Sequence, residues 1–244
     1  SGDVSNEIVS GFGAKLMAGF CRGGPVVRAR TVLFPYPEIG AEPERLLSLM
    51  EQLGAPSTEV RLEFPLSRQD EDEWRASGLG GTLVPGAYLC IHPGARKRDT
   101  CWPAHLFAEV GDRLADEFGL KVVLTGSAEE ADLTADVADR MRHTPLDAAA
   151  PISIGAMAVL LRHARLLLCN DTGVSHIAAG LKLKSVVVFS KADIARWAPL
   201  DRHMHRCIWD PGAERAQVVL EHARALLSDT APSRQRSAGM WPYW

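Results

Sequence analysis

The stretch "LLLCNDTGVSHIAAGLKLKSVVVF", residues 166–189, holds a polar island between two apolar runs. The first run, "LLLC", is typical of a buried β-strand, and the last, "SVVVF", of a second one. Residues 174–183 between them have the pattern of a short helix. Two near-continuous apolar strands joined by a helix predict a parallel sheet that is covered on both faces.

The same alternation extends upstream to residue 86. The runs "AYLCIHPG" and "KVVLTG" predict strands, and apolar residues at helical spacing predict helices over 102–119, 128–142 and 153–164, the first ending at Gly119. The fold class is therefore α/β, with a doubly wound parallel sheet. Ligands bind such sheets beyond the carboxyl ends of the strands. We expect the loops at 92–98, 126–130, 148–153 and 170–175 to share one ligand-binding edge.

Composition sets broad limits on function. The chain has 244 residues, 46% of them apolar, and a formal net charge of −3, so it gives no reason to expect a nucleic-acid partner. No apolar window approaches the length of a membrane span and no signal peptide is visible, so we expect a cytoplasmic protein. The five scattered cysteines indicate reduced thiols. An HxHxC spacing at His203, His205 and Cys207 is compatible with zinc, but equally with a solvated loop entering a strand.

The first 85 residues differ from the rest. Helices are predicted over 5–16, 42–53 and 67–77, with few strands to make a sheet, so this segment resembles part of a domain. We predict a boundary at Pro85–Gly86, giving residues 1–85 and 86–228 as units and 229–244 as a tail docked by Trp241 and Trp244. The start at Ser-Gly, without methionine, leads us to expect a longer native chain.

The island Asn170-Asp171-Thr172-Gly173 has three interpretations. Asp171 or Thr172 can cap the following helix. The free amides of the helix start, with glycine allowing close approach, can instead bind a phosphate, and His176 lies one turn further along. Asp-Thr-Gly is also typical of aspartic proteases, but these need two carboxylates in an all-β setting, which this pattern does not provide. The cap and the anion site stay open.

Two further loops favour a phosphate-bearing ligand. In "HPGARKRD", Pro93 and Gly94 end a buried strand, and Arg96, Lys97 and Arg98 then place positive charge on the ligand edge. A solvated basic loop is the alternative. In "TGSAEE", Glu129 and Glu130 can accept hydrogen bonds from ribose hydroxyls, although acidic residues are also common at helix starts.

Five motifs in order carry a resemblance: HPGA, WP opening a helix, VVLTG with a following glutamate, NDTGxxHxAA and RWxP. Over residues 86–207 the chain resembles glycosyltransferase family 9, the ADP-heptose:lipopolysaccharide heptosyltransferases. The resemblance implies GT-B architecture, with residues 86–228 as the Rossmann-like nucleotide-sugar domain and residues 1–85 as part of the N-terminal, acceptor-side domain.

The resemblance also implies roles for individual residues. Asp171, Thr172 and Gly173 would contact the phosphates and sugar of the donor, with His176 as the family's histidine and Glu130 holding the ribose. The first phosphate-side loop corresponds to His92, Pro93, Gly94 and Ala95, and Arg96 and Lys97 complete the expected donor-binding set. The implied reaction is inverting transfer of a heptose-like sugar from an ADP-sugar to a lipopolysaccharide-type acceptor, without metal or cofactor.

The departures from the family pattern are specific. Thr100 stands where the family has Lys or Arg, "APISI" replaces a GxTSL loop with Ala150 and Ile152 at two of its positions, and Lys191 stands where glycine is common. The family's opening strand, Gly-rich loop and catalytic aspartate have no counterpart, so no catalytic residue is named.

We expect a nucleotide-sugar donor and a glycolipid or other glycan acceptor as partners. Peripheral contact with the inner membrane, and self-association through apolar surface near residues 8–20 of the incomplete N-terminal domain, are further expectations. The alternative function is a catalytically silent nucleotide-sugar-binding protein derived from such an enzyme.

Overall fold

The computed structural model describes residues 2–56, 59–149 and 152–229, which form two β-sheets and the helices around them. The strands are β1 (Met17–Cys21), β2 (Val26–Arg28), β3 (Thr31–Pro35), β4 (Tyr88–His92), β5 (Lys121–Leu124), β6 (Leu146–Asp147), β7 (Leu166–Asn170), β8 (Ser185–Phe189) and β9 (His205–Trp209). The helices are α1 (Gly2–Ser10), α2 (Glu42–Gln52), α3 (Arg68–Ala76), α4 (Leu79–Thr82), α5 (Ala104–Phe118), α6 (Ala131–Arg140), α7 (Ile154–His163), α8 (Gly173–Leu181), α9 (Ile194–Trp197) and α10 (Ala216–Ser228).

The larger sheet has six strands in the order β6-β5-β4-β7-β8-β9, and every neighbouring pair is parallel. The chain runs outward from β4 to β6 on one side, then returns to the centre and runs outward again from β7 to β9. This is the doubly wound arrangement that the sequence predicted, so the α/β fold class is confirmed. The switch point, where such folds bind ligands, lies between β4 and β7.

The two faces of the larger sheet bury two separate apolar clusters. Along β7, Leu166 and Leu168 pack into the cluster that includes α5 and α10, whereas Leu167 and Cys169 pack into the cluster that includes α7 and α8. Every residue of β7 and β8 is buried. Burial on both faces explains why these strands are apolar throughout rather than alternating.

The helices that cover the larger sheet begin and end close to their predicted limits. Gly119 ends α5 with a left-handed φ of 62°, as its position in the sequence indicated. Ser153 caps α7, with its hydroxyl accepting a hydrogen bond from the Ala156 amide at 3.1 Å. The predicted helix over 128–142 is divided into a 3₁₀ turn over Ala128–Glu130 and the helix α6.

The first 40 residues contain more strand than predicted. The helix expected over 5–16 ends at Ser10, where Gly11 and a left-handed Gly13 follow, and β1 begins at Met17. A three-stranded sheet in the order β1-β3-β2 results, with β1 parallel to β3. The expectation of few strands was therefore wrong, because runs of three to five half-exposed residues carry no clear periodicity.

The segment between the two sheets packs on the larger one. Trp74 of α3 and Leu83 after α4 belong to the same buried cluster as β7 and α7. The division into units at residues 1–85 and 86–228 stays a prediction. The predicted docking of the tail by Trp241 and Trp244 lies outside the described residues. No helix in the described ranges is long and apolar enough to cross a membrane.

Candidate functional site

Two loops meet at the switch point because β4 and β7 are neighbours. Asn170, the last residue of β7, joins them: its Nδ2 donates to the Pro93 carbonyl oxygen at 2.7 Å, and its Oδ1 accepts from the Trp102 amide at 2.8 Å. The side chain is almost fully buried. Asn170 thus holds the loop after β4 against the loop after β7. Sequence analysis did not assign it a role, although an asparagine at the end of an all-apolar strand was a visible signal.

The start of α8 has no side-chain cap. Thr172 occupies the N-cap position in extended conformation, with a φ of −155° and no hydrogen bond from its side chain to the helix. The Ser175 amide bonds to the Thr172 carbonyl oxygen at 3.0 Å, while the amides of Gly173 and Val174 have no partner in the described chain. The capping interpretation of this island is therefore wrong for the Thr172 side chain. Two backbone donors remain for a ligand.

Gly173 is exposed, and a Cβ at this position would meet no atom within 4 Å. A side chain added at the start of α8 would therefore meet no clash. The neighbouring Asp171 is half-buried, and burial raises the pKa of its carboxyl group to about 6. His176 is also half-buried, and burial lowers the pKa of its imidazole. Near neutral pH, His176 is accordingly uncharged and Asp171 is ionised at an energetic cost.

The turn after β4 lies against Glu130. His92 is buried, with its Nδ1 3.1 Å from the Thr125 hydroxyl and its Nε2 3.8 Å from Glu130 Oε2. Burial lowers the pKa of His92, and the nearby Glu130 carboxylate opposes this effect. A Cβ at Gly94 would collide with the Glu130 carboxylate, so only glycine fits there without movement. The turn and the glutamate therefore form one packed unit.

Glu130 also has the role of an acidic residue at a helix start, which was the alternative to ribose binding. Its Oε2 accepts a hydrogen bond from the Ser127 amide at 2.9 Å, which closes a capping box at the start of the 3₁₀ turn. The carboxylate is thus held in place while it remains partly accessible. A fixed carboxylate beside the switch point is suited to accept hydrogen bonds from a ligand hydroxyl.

The basic residues after Gly94 fall into two groups. Arg96 and Lys97 are exposed and form no ion pair with any residue that the structure describes. Arg98 instead binds the Asp132 carboxylate through both terminal nitrogens and donates to the Glu129 carbonyl oxygen at 3.0 Å. Arg98 is thereby tied to α6, whereas Arg96 and Lys97 are available to a ligand.

Most of the predicted site residues are therefore brought to one edge. His92, Pro93, Gly94 and Ala95 are buried at the turn, next to Glu130 and, through Asn170, to the start of α8. Asp171, Thr172, Gly173 and His176 line that start, and Arg96 and Lys97 project from the outer part of the loop. The expected loop at 148–153 includes residues 150 and 151, which lie outside the described residues.

A second polar cluster joins the two sheets, and sequence analysis did not find it. Glu42 accepts hydrogen bonds from the Tyr36 hydroxyl at 2.5 Å and from Arg196 Nε at 2.7 Å. The Arg45 guanidinium lies 4.5 Å from the centre of the Tyr36 ring. Tyr36 follows β3 and Arg196 lies after β8, so the cluster connects the carboxyl ends of strands from both sheets.

The possible zinc spacing at residues 203–207 is not assembled into a site. His205 is buried, and its Nδ1 lies 2.8 Å from the Ser185 hydroxyl. Within the described ranges no three His, Cys, Asp or Glu residues are grouped so that they could hold a metal ion. All five cysteines are free thiols.

Comparisons with known proteins agree with this architecture. The sequence profile described as "Glycosyltransferase family 9 (heptosyltransferase)" matches residues 42–223. Lipopolysaccharide heptosyltransferase 3 of Escherichia coli (strain K12) is 27% identical over an alignment of 218 residues that covers 80% of this chain and 62% of that protein. A second lipopolysaccharide heptosyltransferase 3, from Escherichia coli, is 30% identical over an alignment of 168 residues that covers 66% of this chain and 48% of that protein. The chain thus spans less than two thirds of either relative.

Solved structures share the fold. The glycosyltransferase family 9 structure from Veillonella parvula DSM 2008 superposes with a TM-score of 0.78 at 17% identity, covering 92% of this chain and 71% of that one. The ADP-heptose lipopolysaccharide heptosyltransferase II of E. coli gives a TM-score of 0.71 at 21% identity, covering 92% and 73%. These likenesses confirm a GT-B-like fold. Because the family profile matches well over half of the residues, the chain belongs to glycosyltransferase family 9.

Proposed function

We propose that the chain contains the donor-binding part of a glycosyltransferase that moves a heptose-like sugar from ADP-heptose to a lipopolysaccharide-type acceptor, with inversion and without a metal. Membership of glycosyltransferase family 9 supports the reaction class. The relatives named as lipopolysaccharide heptosyltransferases support the acceptor class. The donor nucleotide, the stereochemistry and the independence from metal are proposed from the resemblance to glycosyltransferase family 9.

The observation that carries the proposal is the uncapped start of α8. The free amides of Gly173 and Val174 lie at the positive end of a helix dipole, which favours an anion such as a diphosphate. Arg96 and Lys97 add positive charge from the neighbouring loop. We assign to Glu130 the hydrogen bonds from ribose hydroxyls and to Asp171 a contact with the sugar, as the family resemblance implies.

The proposed reaction makes one bond and breaks one. The acceptor hydroxyl oxygen bonds to the anomeric carbon from the face opposite the diphosphate, and the bond between that carbon and the phosphate oxygen breaks. Negative charge then accumulates on the departing diphosphate, where amides and cations already in position stabilise it. The acceptor proton goes to a general base, which we do not assign to any residue of this chain.

Calorimetric titration tests the donor site. ADP and ADP-heptose should bind the chain more tightly than UDP-sugars do, and failure of all of them to bind would refute the proposal. Gly173 offers a matched pair of variants, because an added side chain there meets open space. Gly173→Asp places a negative charge in the anion site and should abolish ADP binding, although acidic residues stabilise helix starts. Gly173→Ala should retain most of the affinity.

The proposal for the acceptor is less specific. We propose a glycolipid or other glycan as the acceptor class. We also propose a cytoplasmic location, with peripheral contact with the inner membrane. Transfer from ADP-heptose to a lipopolysaccharide core acceptor, followed by product mass, is the corresponding assay. The alternative function, a catalytically silent nucleotide-sugar-binding protein, is not favoured, because the curated relatives are named as transferases. ADP binding with no transfer by the longest native form of the chain would restore that alternative.

Self-association also stays a proposal. Ile8, Phe12 and Leu16 are largely exposed near the start of the chain, in the region where uncovered apolar surface was predicted. Such surface favours association between copies. Sedimentation velocity of the wild-type chain and of Phe12→Ser tests it. A concentration-dependent increase in mass that Phe12→Ser removes is expected, and a monomer at all concentrations would contradict it.

A further inference from the structure

We infer that Lys191 is a phosphate-binding residue of the donor site, with the diphosphate of the nucleotide-sugar as its ligand. The inference rests on the proposed function, and Lys191 is not among the donor-binding residues named above. Thr100 stands where the resemblance leads one to expect a basic residue, and Lys191 where it leads one to expect glycine. The structure brings these two positions together.

Lys191 follows β8, the strand next to β7, at the same carboxyl edge of the sheet. The Asp171 amide bonds to the Val188 carbonyl oxygen at 2.9 Å, so the polar island is joined to the end of β8. One residue before Lys191, the Ser190 hydroxyl donates to the Thr100 carbonyl oxygen at 2.9 Å. The loop that carries Lys191 is therefore fixed between the loop after β4 and the start of α8.

The ammonium group of Lys191 points back to that loop. It forms an ion pair with the carboxylate of Asp99, the residue next to Thr100, and thereby lowers the pKa of Asp99. Both side chains are more than half exposed. An exposed pair of this kind contributes little to stability because solvent screens it, so a phosphate can replace the carboxylate at little cost. Phosphate oxygens are also strong charge-assisted acceptors.

The other basic residues at this edge lie in positions different from that of Lys191. Arg98 is held by Asp132 and the Glu129 carbonyl oxygen, on the side of α6. Arg96 and Lys97 lie on the exposed outer part of the loop, from which Lys97 adds a smaller contribution to the lowered pKa of Asp99. Lys191 approaches from the β8 side, and its own loop is anchored to Thr100. A lysine supplied from β8 thus places charge beside position 100 although that position holds threonine.

The competing explanation is that Lys191 only holds the loop at 98–100 in place through Asp99. The two explanations predict different results when Asp99 is replaced. If the Asp99–Lys191 ion pair only holds the loop in place, both partners are needed. Asp99→Asn and Lys191→Gln should then weaken ligand binding to the same extent. If Lys191 binds phosphate, the phosphate competes with the Asp99 carboxylate for its ammonium group, so Asp99→Asn should strengthen ADP binding.

The experiment is calorimetric titration of the full chain with ADP and with adenosine, in low and moderate salt. Lys191→Gln should weaken ADP binding about tenfold, equivalent to about 1.4 kcal/mol, and leave adenosine binding unchanged. Lys182→Gln removes the same charge from the exposed far end of α8 and should leave both affinities unchanged. Adding Thr100→Lys to Lys191→Gln should restore most of the ADP affinity.

Three results would overturn the inference. ADP affinity unchanged by Lys191→Gln would exclude a phosphate contact. If Lys191→Gln weakens ADP and adenosine binding equally, and Asp99→Asn causes the same loss, the ion pair only stabilises the loop. Absence of any ADP binding by the wild-type chain would reject the proposed function together with this inference, and so differs from failure of the inference alone.

Discussion

Replacing Asp171 by asparagine should stabilise the protein, and only at higher pH. The carboxyl group is half-buried, and its side chain accepts no hydrogen bond within the described residues. Burial raises its pKa from 3.8 to about 6. A group with a raised folded pKa binds protons more tightly in the folded state, so wild-type stability falls as pH rises from about 4 to about 6. Asparagine avoids this loss because it is never charged.

The size of the effect follows from the pKa. A difference of about two pH units corresponds to about 3 kcal/mol at most, and solvent around the half-buried carboxylate reduces this to about 1–2 kcal/mol. A gain of that size raises the melting temperature of a chain this long by about 2–8 °C. Below about pH 4 the carboxyl group is protonated in both folded and unfolded states, so the wild type and Asp171→Asn should be equally stable.

Urea unfolding of both proteins at several values between pH 4 and pH 8 measures this difference. The same variant should bind ADP-heptose less tightly, because Asp171 is proposed to contact the sugar. A residue that destabilises the fold and supports ligand binding is typical of a functional site. An Asp171→Asn variant that is equally or less stable than wild type at pH 8 would refute this reasoning and return Asp171 to a structural, capping role.

Three further experiments test the packing of the site and the contact between the two sheets. Gly94→Ala should destabilise the fold by about 1 kcal/mol, because its Cβ displaces the Glu130 carboxylate and breaks the hydrogen bond from the Ser127 amide. Glu130→Ala should remove most of that penalty in the double variant, whereas additive losses in thermal melts would contradict the predicted collision. Asn170→Ala leaves the Pro93 carbonyl and the Trp102 amide without their partner and should cost about 2–4 kcal/mol in urea unfolding. A loss below 0.5 kcal/mol, as is usual for surface changes, would show that Asn170 does not hold the loops. A double-mutant cycle on Glu42 and Arg196 should give a coupling energy of about 1 kcal/mol, and zero coupling would remove the proposed link between the sheets.

The larger sheet could be predicted from the sequence because its strands are buried on both faces. The runs that became β4, β5, β7 and β8 are apolar except at their ends, and the helices between them have clear periodicity and recognisable ends such as Gly119. The convergence of the loops followed from one rule, that parallel strands present their carboxyl ends at the same edge. The loops could therefore be predicted to converge without knowledge of any distance between them.

The smaller sheet could not be predicted in the same way. β1 and β3 are five residues each and only partly buried, and their pairing depends on packing that a short sequence window does not contain. Contacts across long separations were also invisible. Asn170 meets Trp102 across 68 residues, and Arg196 meets Glu42 across 154. Such pairs arise from the topology, which fixes the neighbours of a loop only after the strands are ordered.

The most direct test of the central claim is hydrogen–deuterium exchange of the chain with and without ADP. The claim is that the edge formed by the loops at 92–98 and 170–176 holds a nucleotide diphosphate. ADP should slow amide exchange in both loops, most of all at Gly173 and Val174, and leave residues 141–145 at the opposite edge of the sheet unchanged. Saturating ADP that leaves exchange at 170–176 unaltered would contradict the account.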